Sequence, residues 1–234
     1  MGECLQATAI ETKLRELMRI SGSLEPALAT RLEEIWRWIE QMKPGKLMQK
    51  KLLMGFLLEV IQDAEVWLAL KPLTDAERES FLHQIPPPVR YWYEYLFPRW
   101  FTEQDNKFYI WKQKLRSGEF SQDDAEVIDV IAQNIKSRQG SVVQRYVADF
   151  SMATDAIVSS PTGKPLCVQV TSMSDEFSEY KYEEWKRTLQ AWEIERGIFV
   201  SYNPGKEAFV RELVNVVLHN SNHLADYKYL KFSF

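Results

Sequence analysis

The chain has 234 residues, of which 45% are hydrophobic and 26% charged, and its formal net charge at pH 7 is −4. No stretch reaches the roughly 18 uncharged apolar residues of a membrane span, because the best candidate, residues 52–70, is interrupted by acids. We therefore expect no membrane partner. Nonspecific nucleic-acid binders usually carry a basic excess, so any nucleic-acid contact must come from a local patch or from a partner.

Apolar residues recur at helical spacing from about residue 5 to residue 80, which predicts a series of helices. Ser23 is expected to cap one of them, with Pro26 in its first turn. A long helix is predicted over residues 47–70, and Thr74 is expected to open a shorter one.

Aromatic residues follow three consecutive prolines at 86–88, which favour a stiff extended segment. They are Tyr91, Trp92, Tyr93, Tyr95, Phe97, Trp100, Phe101, Phe108, Tyr109 and Trp111. The favoured interpretation is a buried seam between two halves of the protein, or an interface with a partner protein or a second copy. Because Arg and Lys are interleaved, a platform on which bases stack is the alternative.

From residue 121 the pattern changes to mixed helices and strands. Helices are predicted at about 121–137, 179–195 and 206–218, and strands at 142–150, 155–159, 165–171, 197–202 and 227–234. The wholly apolar strand 197–202 is expected to be central, and the alternating strand 227–234 to lie at an edge. The predicted class is α+β: a helical region (1–118), then an α/β domain (119–234) whose mixed sheet carries helices on both faces.

Two of these strands flank a turn at residues 161–164 and predict a hairpin, which pairs position 155 with 169 or 170. Alternation puts Cys167, Gln169 and Thr171 on one face of the second strand, and Leu166, Val168 and Val170 on the other. Asp155 can therefore lie beside Gln169, or one residue out of step with it. A carboxylate beside a polar face is a candidate site, although a solvated sheet face would show the same pattern.

The element order and these residues resemble the PD-(D/E)XK superfamily of restriction-endonuclease-like nucleases over about residues 122–220. In that family an acid opens the second strand, and the third ends in an acid or Gln, an apolar residue and a Lys. Asp155 matches the first acid, and Gln169 matches the Gln of Mrr-like enzymes. Glu126 is the candidate for the acid on the first helix that often joins the metal site. Thr171 departs from the family, because it stands where Lys is expected.

The resemblance implies Mg²⁺ held by Asp155, Glu126 and Gln169. Threonine cannot replace the charge of the missing lysine. A lysine could reach in from elsewhere, Lys164 in the turn or one of the lysines of the following helix, Lys181 and Lys186. Otherwise the metal alone would activate water, or the site would be inactive.

Three functions therefore stay open. The first is a metal-dependent endonuclease acting on DNA or RNA, for which Asp155→Ala is expected to abolish cleavage and to leave the fold nearly intact. The second is a decayed nuclease fold that serves as a scaffold for protein or nucleic acid. The third is a regulatory protein acting through its helical half. A lysine cluster at residues 43–51 could touch phosphate, although a solvated helix face is the favoured interpretation.

Cysteines and histidines are few. Cys4 and Cys167 form neither a disulfide framework nor a metal-ligand spacing, and residues 1–5 do not read as a signal peptide, so we expect a reducing cytoplasm. His219 and His223 stand four apart and could share a helix face as zinc ligands. The helix is expected to fray between them, which favours a surface or capping role.

Overall fold

The structure is a computed structural model that describes residues 7–41, 51–117, 125–172, 175–203 and 209–234. The chain divides into two units, Met1–Gln84 with Tyr93–Phe120, and Ile85–Trp92 with Ser121–Phe234. Within the described ranges, no helix has both the length and the apolar character needed to cross a membrane.

The first unit is helical, as predicted. In chain order its helices are α1 (Ala7–Leu24), α2 (Pro26–Glu40), α3 (Lys51–Leu70) and α4 (Asp75–Gln84), followed after α5 of the second unit by α6 (Phe97–Thr102) and α7 (Phe108–Ser117). Helix α1 packs against α2 and α3, and α2 packs against α6. The lysine cluster lies outside the described residues except for Lys51.

The predicted helix starts are partly correct. Pro26 does occupy the first turn of α2, but the cap residue is Glu25. Ser23 belongs instead to the last turn of α1, where its hydroxyl donates to the carbonyl of Ile20 at 3.0 Å. Thr74 opens α4 through a reciprocal cap with Glu77: the Thr74 amide donates to the Glu77 carboxylate at 2.9 Å, and the Glu77 amide to the Thr74 hydroxyl at 3.3 Å.

The proline segment is not wholly extended, which corrects the sequence prediction. Pro86 has extended dihedrals (φ −56°, ψ 143°), but Pro87 begins helix α5 (Pro87–Tyr91). A proline in the first helical turn is tolerated because an amide there has no intrahelical acceptor. A π-helical turn, Trp92–Leu96, then leads into α6.

The aromatic rings are mostly buried. Trp92, Trp100 and Trp111 are 0%, 0% and 2% exposed, which confirms that they are shielded from solvent. In the first unit Phe56 of α3 meets Trp111 at 5.0 Å between ring centroids, and Trp67 of α3 meets Phe101 at 5.6 Å. Rings that fill this core cannot present their faces to bases, whereas Tyr109 is 69% exposed.

The second unit contains the predicted mixed sheet. Its elements after α5 are α8 (Ala125–Ser137), β1 (Ser141–Val143), α9 (Tyr146–Met152), β2 (Ala156–Ser159), β3 (Leu166–Ser172), α10 (Asp175–Ala191), β4 (Arg196–Tyr202), α11 (Phe209–His223) and β5 (Lys228–Ser233). The sheet order is β1-β2-β3-β4-β5, in which β1, β2 and β3 pair antiparallel and β3, β4 and β5 pair parallel. Strand β4 is buried along its whole length and β5 lies at an edge, as predicted.

Helices cover both faces of the sheet. On one face the apolar side chains of β2, β3 and β4 form a core with residues of α8 and α11, including Ile135 and Leu213. On the other face Trp185 and Leu189 of α10 lie directly over Gly197 of β4. The α+β prediction is thereby confirmed.

The strand predicted at residues 142–150 is wrong beyond Val143. Strand β1 ends there, and α9 begins at Tyr146. Tyr146, Val147 and Phe150 are β-formers by propensity, but Ala148 and Asp149 between them are not, and Val147, Phe150 and Ser151 are buried at helical spacing. Tertiary packing therefore overrides the strand preference of the three β-formers.

Candidate active site

The register of the hairpin places Asp155 opposite Gln169. Ala156 pairs with Val168 and Ile157 with Cys167, so the next position outward joins 155 to 169. The Asp155 amide continues the ladder by donating to the Val168 carbonyl at 2.9 Å. Directly opposed residues share a face, so both side chains lie on the α10 side of the sheet.

The Asp155 carboxylate is a hydrogen-bond acceptor for the end of β3. Its Oδ2 accepts from the Gln169 side-chain amide at 2.8 Å and from the Val170 backbone amide at 2.6 Å. Both side chains are half-buried. Because Nε2 of Gln169 donates its hydrogen bond to Asp155, the Oε1 atom of Gln169 is the one that can accept from a donor or bind a cation.

Hydroxyl groups extend this site along the sheet. Thr171 pairs with Ser201, and Ser201 with Ser233, which places the three residues in one row across the carboxyl ends of three parallel strands. The hydroxyls of Ser201 and Ser233 are hydrogen-bonded at 2.8 Å. Ligands of α/β sheets bind outside the carboxyl ends of parallel strands, which is where Asp155 and Thr171 lie.

Lys231 is a basic residue of this face that the sequence analysis did not single out. It stands in the row of Gln169 and Phe199, two strands from Gln169. Its ammonium pairs with Glu179 of α10 at 2.7 Å. Alternation along β5 puts Lys231 and Leu230 on opposite faces of the sheet. Only the pairing of β5 with β4, however, puts Lys231 in the row of Gln169.

Lys164 is not brought to the site. It lies at the turn end of the hairpin, seven residues before Thr171, or about 20 Å along an extended strand. Its ammonium pairs there with Asp226 at 2.9 Å. On α10, Lys181 is exposed, and Lys186 lies 3.7 Å from Glu183.

Glu126 lies in the exposed first turn of α8, a helix that packs against the face of the sheet opposite Asp155. Helix α8 and β1 are joined by a turn, and Gln144, just after β1, donates to Asp129 of α8 at 3.4 Å. The first half of α8 is therefore near the end of the sheet that carries Asp155. Among the described residues, no three or more His, Cys, Asp or Glu side chains are grouped to hold a metal.

The oxygen donors at the site nonetheless suit Mg²⁺. That ion is typically bound through one or two carboxylates, completed by water and substrate phosphate, and it prefers oxygen ligands. Asp155 supplies one carboxylate and Gln169 an amide oxygen. Asp155 and Gln169 thus supply two oxygen donors of the kind that Mg²⁺ takes.

The histidines and the cysteine, the other titratable candidates from the sequence, lie in surroundings that give them a structural role. Helix α11 does not fray but continues through His223, whose ring stacks on His219 with 4.2 Å between centroids. Cys167 is fully buried, and desolvation raises the pKa of its thiol to about 12. A thiol that remains protonated is a poor nucleophile or metal ligand.

Comparison of the chain with protein-family models, with curated proteins and with solved structures gives no match.

Proposed function

We propose that residues 119–234 form a PD-(D/E)XK-like domain that hydrolyses phosphodiester bonds of DNA or RNA with Mg²⁺. The observation that carries the proposal is the contact between Asp155 and Gln169 at the carboxyl end of β3. It joins the two positions at which the family has its acid and its Gln. The meander of β1, β2 and β3, followed by a helix and a parallel strand, is the element order that the resemblance implies.

In this proposal each residue has a limited role. Asp155 and the Oε1 atom of Gln169 hold the ion, and Asp155 orients Gln169 through the 2.8 Å hydrogen bond. The ion, when bound, lowers the pKa of a water molecule and offsets the charge of the phosphate. Thr171 offers a hydroxyl to a phosphate oxygen or to water, but no charge. Glu126 completes the metal site only if it reaches around the end of the sheet.

The test is cleavage of plasmid DNA, single-stranded DNA and RNA by the full chain, with Mg²⁺, with Mn²⁺ and with a chelator. Asp155→Asn is the informative variant, because an amide oxygen preserves the shape and an acceptor while removing the charge. We expect metal-dependent cleavage by the wild type and its loss in Asp155→Asn. The matched control is Asp129→Asn, an exposed acid of the same unit, which should cleave normally. Cleavage that persists unchanged in Asp155→Asn would place the chemistry elsewhere.

A non-catalytic scaffold is the second candidate, and the uncharged Thr171 favours it. The partner would be nucleic acid, another protein or a second copy. The exposed part of the aromatic segment that could contact a protein includes Tyr109 and Ile110, which are 69% and 54% exposed. No cleavage of any substrate, together with no Mn²⁺ binding that depends on Asp155, would decide for this candidate. In either case a reducing cytoplasm is the compartment we propose, and Cys167 is an unpaired, buried thiol.

A further inference from the structure

A cavity of about 340 Å³ lies in the helical unit, and the proposed phosphodiesterase chemistry does not use it. One wall is a face of α2 and the other a face of α7. The lining residues that matter here are Glu34, Arg37, Trp38, Phe108, Tyr109 and Lys112. We call this cavity the α2–α7 cleft.

The apolar part of the cleft is made of aromatic rings that are held in place. Trp38 is 7% exposed and packs edge-on against Trp111, at 5.9 Å between centroids. Phe108 packs against the same ring at 4.9 Å and 90°. Tyr109, 69% exposed, adds a ring at the rim. A planar ligand can therefore stack on Tyr109 without reorganising the core.

The charged part of the cleft favours an anion. The Lys112 ammonium lies 3.9 Å from the centroid of Phe108, and partial burial lowers the pKa of this lysine. Among the described residues, the carboxylates whose charge acts on Lys112 are Glu34 and Asp105, and both raise its pKa. Glu34, the acid of the lining, is paired with Arg31 at 2.8 Å, and Arg37, 68% exposed at its side chain, is paired with Glu33 at 2.7 Å. A phosphate beside Lys112 would gain from the charge of this lysine and meet an acid that is already paired.

We propose that the α2–α7 cleft binds a nucleotide, with the base stacked on Tyr109 and the phosphate beside Lys112. The same chemistry is offered by a free nucleoside monophosphate and by one unit of a single strand. Stacking on aromatic rings tolerates any base, so the cleft should show little base preference. The inference does not depend on cleavage by residues 119–234.

Calorimetric titration of the full chain with AMP and with an oligodeoxythymidylate tests the inference and separates the two sources. Adenosine and inorganic phosphate serve as half-ligands. We expect AMP, the oligonucleotide or both to bind, and each half-ligand to bind at least about tenfold more weakly, because adenosine lacks the phosphate and inorganic phosphate lacks the stacking base. Binding of the oligonucleotide without AMP identifies a strand site, and comparable binding of both identifies a nucleotide site.

Substitutions locate the binding. Lys112→Met keeps the length of the side chain without its charge, and Tyr109→Ala removes the rim ring, so each should weaken binding about five- to tenfold or more. Lys112→Arg should retain binding, which separates loss of charge from a folding defect. Lys114→Met, an exposed lysine of the same helix, and Tyr180→Ala, 74% exposed in the other unit, are controls that should bind normally.

The inference is overturned if neither AMP nor the oligonucleotide binds, or if they bind equally well to Lys112→Met and Tyr109→Ala. Without divalent metal, Asp155→Asn should bind AMP as the wild type does, because the α2–α7 cleft lies in the other unit. A failure of the phosphodiesterase proposal would thus appear in cleavage alone, and a failure of the cleft proposal in binding alone.

Discussion

The side-chain amide of Gln169 donates to the carboxylate of Asp155 across 2.8 Å, just before β2 begins and while β3 is still paired with β4. The same oxygen accepts the Val170 amide. Asp155 therefore does more than present a charge, because it satisfies a backbone donor that the short strand β2 does not reach. Structural and chemical roles coincide at this residue, so they have to be separated by experiment.

Asp155→Ala should reduce stability, contrary to the expectation from sequence. Removing the acceptor leaves the half-buried Val170 amide without this partner, which costs about 1–3 kcal/mol. Asp155→Asn retains an acceptor oxygen and should lose less. Urea unfolding followed by circular dichroism measures both variants. Equal stability of wild type and Asp155→Ala would show that the carboxylate contributes nothing to the hairpin.

Thr171→Lys should raise metal-dependent cleavage. Lys164 is engaged about 20 Å away along the hairpin, so the new ammonium would not compete with it for the site. Thr171 is half-buried at the end of β3, where a long side chain can extend toward solvent. Ser172→Lys, the exposed next residue on the opposite face, is the control and should change little. Lower activity in Thr171→Lys alone would indicate that another lysine already occupies the site.

Cys167 should make stability depend on pH in the alkaline range. Its pKa is raised from 9.0 to about 12 by burial, so the unfolded chain releases the thiol proton first. Below pH 9 the protonated thiol has no such effect. Between pH 9 and about 12 the contribution of Cys167 to the free energy of unfolding falls by about 1.4 kcal/mol per pH unit. We expect the unfolding free energy of wild type relative to Cys167→Ala to decline from pH 8 to pH 10.5; a constant difference would contradict the burial of the thiol.

Arg196→Met should destabilise the second unit. This arginine is 4% exposed and donates to the carbonyls of Asn220 and Ser221 at 2.8 and 2.9 Å, at the end of α11. Hydrogen bonds to a charged group contribute about 1.5–3 kcal/mol, so we expect a loss of at least that size.

The Arg196 guanidinium also lies 3.9 Å from the carboxylate of Asp226. Lys164→Met is the matched control, because Lys164 pairs with the same Asp226 but is 69% exposed at its side chain. Exposed ion pairs contribute about 0–1 kcal/mol. Thermal unfolding of both variants should separate them clearly. Similar losses would mean that the charge of Asp226, and not the α11 carbonyls, dominates.

Gly197→Ala should be poorly tolerated. An added Cβ would lie 2.5 Å from Leu189 and 2.8 Å from the ring of Trp185. Trp185 cannot easily move, because its indole donates to the Ala153 carbonyl at 3.0 Å. Overpacking of this kind costs about 1–3 kcal/mol. Gly22→Ala in α1, with nothing within 4 Å of the new methyl, should instead be neutral or stabilising. Denaturant midpoints of the two variants compare these cases.

Local pattern determined much of the second unit. The hairpin of β2 and β3 was predictable, with its register to within one residue, because its strands are adjacent in sequence and joined by a short turn. The alternation of side chains along β3 placed Gln169 on one face of the sheet and Val168 and Val170 on the other. The continuous apolar run of β4 predicted a central strand, since both faces of such a strand need covering. These signals lie within a few residues of one another, so no distant contact is needed to read them.

Tertiary structure decided the rest. Helix α9 forms although Tyr146, Val147 and Phe150 favour strands, because the burial of its residues repeats at helical spacing. Pro87 enters a helix because the first turn of a helix needs no amide donor. Lys231 joins the row of Gln169 only through the parallel pairing of β4 with β5, and Lys164 is held at the far end of the hairpin by Asp226. Pairing between distant segments is selected by the packing of the whole sheet, and local propensity carries no information about it.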